Sequence, residues 1–187
     1  MRHDALTGIA IQGSNPMRDD VPPTEAVYAF DITLHARPSD VGAGDLHTDA
    51  WGTWPSLMVP RLALSVPMAI DFDTALEALA MIERLYVEPD GSFVWTSSRN
   101  AAASGRGRAW WQVDGNAFEK DGRVLLVDLK GSCPAPEFDR LLAAFGWPGQ
   151  PLMMQVVRSA TFLDEATFRR HALARGIVGD GETLRPA

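Results

Sequence analysis

The run Val124-Leu125-Leu126-Val127-Asp128-Leu129 restricts the fold more than any other stretch of the chain. A strand turns successive side chains to opposite faces, so a run that is apolar at both parities, except at Asp128, needs cover on each side. It belongs inside a sheet. A second strand carries a cleaner signal: Tyr28, Phe30, Ile32 and Leu34 share one parity, and Asp31, Thr33 and His35 the other. That is the pattern of a half-buried strand. Pro151 to Arg158 reads as a last strand. Two turns of hairpin chemistry, Pro89-Asp90-Gly91 and Lys120-Asp121-Gly122, join extended segments, since proline presets one torsion and glycine accepts positive φ.

Three helices are expected. The first covers residues 73–85, with Asp71 or Asp73 as its cap and Leu76, Leu79, Ile82 and Leu85 on its buried side. The second covers residues 136–145, where Phe138, Leu141, Leu142 and Phe145 recur at helical spacing before the stop Gly146-Trp147-Pro148. The third starts at Asp164, between the staple residues Leu163 and Phe168, and ends near Arg175-Gly176. Residues 37–60 show no period and read as irregular chain packed through Trp51, Trp54 and Leu57, and residues 61–70 as an added strand.

This order predicts an α+β domain: a mainly antiparallel sheet of roughly five to six strands with two or three helices packed on one face. A ferredoxin-like plait with additions is the architecture it suggests. Residues 1–24 form an irregular N-terminal arm, 25–176 the domain and 177–187 a C-terminal tail on this reading.

With 187 residues, 46% of them hydrophobic, the chain can bury a core without disulfides. Its single cysteine, Cys133, excludes an internal disulfide and any multi-cysteine zinc or iron–sulfur framework. No apolar run approaches the ~18 residues needed to span a bilayer. Met1 to Leu6 has no basic-then-apolar leader, and a cytoplasmic protein with no membrane contact is expected.

The net charge of −7 is unevenly divided. Residues 1–93 sum to −9 and residues 94–187 to +2, and no acid lies between Asp90 and Asp114. That gap holds Arg99, Arg106 and Arg108 and runs directly into Trp110 and Trp111. Guanidinium groups grip carboxylates or phosphates in bidentate fashion, and indole faces stack on rings. Adjacent strand residues face opposite ways, so both tryptophans cannot enter one core. These five residues are the predicted contact surface for an acidic protein partner, a small anionic ligand or a second subunit. Three arginines on an acidic chain offer few phosphate contacts, which makes weak single-stranded nucleic-acid binding the poorer alternative.

No catalytic or cofactor signature is present: no Gly-x-Ser-x-Gly, no His-Glu-x-x-His, and no glycine-rich loop leading into a helix. Two enzyme alternatives remain. Cys133, expected at the start of the second helix beside Lys130, would gain thiolate character from the helix dipole. Asp45, His47 and Asp49 alternate, so an extended chain puts three metal-ligating side chains on one face, with His35 a loop away. The expected function is a non-enzymatic binding or assembly domain.

Overall fold

In the computed structural model, residues 26–98 and 110–178 are described. The strands are β1 (Val27–Ala36), β2 (Gly42–Asp49), β3 (Gly52–Met58), β4 (Leu85–Val87), β5 (Ser92–Thr96), β6 (Gln112–Lys120), β7 (Arg123–Pro134), β8 (Leu152–Val156) and β9 (Thr161–Asp164). The helices among the described residues are α1 (Phe72–Ala80), α2 (Ala135–Ala143) and α3 (Glu165–Val178).

All nine strands join one sheet in the order β2-β3-β9-β8-β1-β7-β6-β5-β4, and every neighbouring pair is antiparallel. This corrects the expected sheet of five to six strands, and with it the ferredoxin-like plait. A plait orders four strands through two split βαβ units, whereas here β4, β5, β6 and β7 follow one another as a meander of antiparallel neighbours and the sheet reaches nine strands. The extra strands come from two places. Residues 42–58, expected to be irregular, form the β2–β3 hairpin, and Thr161–Asp164 adds β9 immediately before α3. Residues 61–65 form a 3-10 turn, not a strand.

The period-two residues of β1 build the core. Phe30, Ile32 and Leu34 are almost fully buried, and Phe30 meets Phe138 of α2 and Phe168 of α3 at 5.2 and 6.5 Å between ring centroids. Fully burying a phenylalanine stabilises the fold by about 1.5–3 kcal/mol, so this aromatic contact is a main anchor of the two helices on the sheet. Register carries the same face outward through Leu129 and Val127 on β7, Gly115 and Ala117 on β6, and Phe93 on β5.

The helix ends follow the sequence chemistry in part. Asp164 Oδ1 accepts the Thr167 N–H at 2.7 Å, an N-cap for α3. After α2, Gly146 takes φ 91° and the Trp147 N–H bonds the Leu142 carbonyl. Helix α1 stops at Ala80, short of the expected residue 85, and Asp71 makes no side-chain cap bond. Arg84 turns the chain at φ 68°, and its guanidinium donates to the carbonyls of Thr96 and Ser97, tying the start of β4 to the end of β5. No helix among the described residues is long and apolar enough to cross a membrane.

Candidate functional site

The two adjacent tryptophans lie just before β6 and are divided between the core wall and the surface. The Trp111 ring packs edge-on against Trp95, with centroids 5.0 Å apart and planes at 84°. Its backbone pairs with Ser97: the Trp111 N–H donates to Ser97 Oγ, and the Trp111 carbonyl accepts from the Ser97 N–H, both at 3.0 Å. Trp95 is itself fixed by its indole N–H donating to the Glu83 carbonyl. Trp111 is therefore a half-buried part of the core wall, whereas Trp110 is 48% exposed. Arg99, Arg106 and Arg108 lie outside the described residues. The strands that precede this segment expose apolar groups on the sheet face turned away from the helices. There Val94 of β5 pairs across the ladder with Tyr86 of β4, the last strand of the sheet, and Tyr86 is strongly exposed.

A second cluster lies where the β2–β3 hairpin meets α3, and its centre is Asp49. Oδ1 accepts three N–H donors, the backbones of Trp51 (2.9 Å) and Gly52 (3.1 Å) and the Trp54 indole (3.1 Å). Oδ2 faces His171 Nε2 at 2.9 Å and His47 Nε2 at 3.7 Å. The Trp51 and Trp54 rings stand edge-on to the His171 imidazole, and the Arg175 guanidinium lies over Trp51 at 5.2 Å. Burial raises the Asp49 carboxyl pKa, but the donors from Trp51, Trp54 and His171 outweigh it and hold the carboxyl below its usual range. Burial pushes His171 down despite Asp49, helped by Arg175 and His47. A neutral ring facing a carboxylate, which can only accept, carries its proton on Nε2. Its Nδ1 is then a lone pair, buried and without a hydrogen-bond partner. With His171 only 1% exposed, that nitrogen has no access to a substrate.

The expected ligand set around His47 is thus rearranged. The ladder shifts register between Ala43 and Leu46, and Asp45 is exposed, with its carbonyl accepting from the Ser56 hydroxyl. His35 lies on the sheet face away from α3, its ring 5.8 Å from Phe162, and burial lowers its pKa. Among the described residues, no group of three His, Cys, Asp or Glu side chains is placed to hold a metal ion.

Cys133 also departs from expectation. β7 continues through Pro134, which carries the thiol into the core beneath α2, where it is fully buried. Burial, with the nearby charges of Glu137 and Asp139, pushes its pKa well above the ordinary thiol value. Low dielectric and carboxylates overrule the helix dipole. Lys130, the expected helper, instead ion-pairs with Asp31 at 3.7 Å.

Sequence reasoning missed His171 as a partner of Asp49. The two are 122 residues apart and nothing local links them; only the alternation of His47 and Asp49 indicated their half of the cluster. Among the described residues, one open groove of about 490 Å³ runs between the end of α1 and α2 past Met81, Ile82 and Arg140, and another of about 420 Å³ lies beside Arg37, Trp147 and Glu165. Neither includes Asp49 or His171. No family model, curated protein or solved structure matches the chain, so the site is read from its own chemistry.

Proposed function

We propose that the chain is a non-enzymatic binding or assembly domain that engages an acidic protein partner through Arg99, Arg106, Arg108 and Trp110. The observation that carries this reading is the exposure of Trp110 at the end of an acid-free, arginine-bearing segment, while its neighbour Trp111 is committed to the core. An exposed indole next to arginines is the composition of an interface hot spot. The acid-free stretch around it removes like-charge cost for a carboxylate-rich partner.

Calorimetric titration at low salt tests the reading, using a glutamate-rich peptide with one apolar anchor and, in parallel, a single-stranded oligonucleotide of equal charge. The expected result is peptide binding that weakens with salt. Trp110→Ala and the triple replacement of Arg99, Arg106 and Arg108 by Ala should each weaken it about tenfold or more, a loss of about 1.4 kcal/mol. Peptide binding unaffected by either variant, no peptide binding at all, or preference for the oligonucleotide would overturn the proposal.

A further inference from the structure

The β2–β3 hairpin is weakly joined to the rest of the sheet. β3 meets β9 through one register pair, Leu57 with Phe162, although β9 pairs with β8 at four positions. By contrast, β1 pairs with β7 at nine positions. At the tip of the hairpin the Asp49 carboxylate meets His171 of α3, framed by Trp51 and Trp54, and the Arg175 guanidinium of α3 lies over the Trp51 ring. We infer that the β2–β3 hairpin is an arm latched onto α3 by the Asp49–His171 hydrogen bond and released when His171 is protonated.

The chemistry of the latch gives the direction. A second proton on His171 must go to Nδ1, which is buried and faces no acceptor. An unpaired buried N–H carrying part of a cation is among the costlier arrangements in a protein interior. Two other cationic or titratable groups face the ring: His47 from the hairpin and Arg175 one turn along α3. The strands beneath α3 provide no compensating anion on that face, where β1 presents Phe30, Ile32 and Leu34, β8 Met154 and Val156, and β9 Leu163. Tyr28 and Arg169 are engaged with each other at the Phe138 side. Among the described residues Asp49 is the anion that opposes, and one of its oxygens is already committed to three donors. Protonation is relieved by moving the imidazole into water, which requires the hairpin tip to leave α3. Release uncovers two indoles and the backbone edge of β9, a strand edge open to pairing.

The test is amide hydrogen exchange on the full chain at about pH 7.5 and about pH 5, corrected for intrinsic exchange, with the His171 ring followed by nitrogen NMR. The expected result is at least a tenfold fall in protection confined to β2 and β3 at the lower pH, with β1 and β7 unchanged. Its midpoint should coincide with an imidazole titration below the ordinary value of 6.5, starting from the Nε2–H tautomer. His171→Gln should remove the pH dependence, and His47→Gln should keep it while shifting its midpoint upward. If His171→Gln opens the hairpin at every pH, the wild-type profile still decides. Equal hairpin protection at both pH values, loss of protection in all strands together, or a midpoint above 6.5 would overturn the inference.

Discussion

Gly115 gives the most direct probe of the register that joins the outer strands to the centre of the sheet. It lies opposite Phe93 across the β5–β6 ladder, and Phe93 is nearly fully buried. The benzene ring occupies the space a side chain at Gly115 would need. A Cβ there would stand 2.1 Å from Phe93 Cζ and 2.5 and 2.6 Å from the two Cε atoms. Ordinary contact begins near 3.4 Å, so Gly115→Ala forces the ring back by more than roughly 1 Å into close-packed surroundings. Overpacking of that kind costs about 1–3 kcal/mol. At roughly 2–4 °C per kcal/mol for a chain of this size, the Tm should fall by about 2–12 °C. Thermal and urea denaturation of Gly115→Ala, Phe93→Leu and the double variant provide the assay. Because the clash needs the ring, the double variant should be more stable than additivity predicts, by about 0.5 kcal/mol or more. Gly122→Ala is the control: it has φ 79° but open space around it, so its cost is backbone strain of about 1–2 kcal/mol and does not depend on Phe93. A Gly115→Ala protein as stable as wild type, or strictly additive variants, would refute the register.

Three further outcomes are expected. Arg169 ion-pairs with Asp139 at 2.7 Å and with Glu165, and stacks over Tyr28, Phe138 and Trp147; Arg169→Met should cost roughly 2–3 kcal/mol in urea denaturation, reduced from the fully buried case by the exposure of Asp139. The Cys133 thiol should react with a disulfide reagent at neutral pH far more slowly than free cysteine, and a native-state rate equal to free cysteine would contradict its placement in the core. His35 and His171 both have folded pKa values lowered from 6.5, chiefly by burial. The unfolded chain therefore binds protons first as pH falls, so stability should be full above about pH 7 and decline through 6.5 and below; a urea midpoint rising toward acid would contradict this.

The centre of the fold was legible because its residues bury one face and advertise it. β1 alternates cleanly, β7 is apolar on both faces, and α2 combines helical spacing with a glycine stop, so tertiary packing and local pattern agree. The sheet edge was not legible. β2 reads Gly-Ala-Gly-Asp-Leu-His-Thr-Asp and is mostly exposed, so no apolar alternation marks it as a strand. Its turn is stabilised by Asp49 accepting the N–H groups of Trp51 and Gly52, which no proline or Asn-Gly pair marks in the sequence. β9 is too short to show a period ahead of the α3 cap. At the candidate site, alternation anticipates that Trp110 and Trp111 part, although both lie just before β6. The environment of Cys133 was not legible, because proximity to a helix start is a local property, whereas full burial and nearby carboxylates depend on the tertiary fold.

The proposed contact surface around Trp110 is tested most directly by fluorine NMR of protein carrying 5-fluorotryptophan. The six tryptophans, at positions 51, 54, 95, 110, 111 and 147, give six resonances, each assigned by its own Trp→Phe variant. On titration with the glutamate-rich peptide, the Trp110 resonance should shift in proportion to occupancy, while Trp95, Trp111 and the hairpin and helix-end tryptophans stay in place. A Trp110 resonance that does not move while the peptide binds, or shifts confined to the other five, would contradict the account.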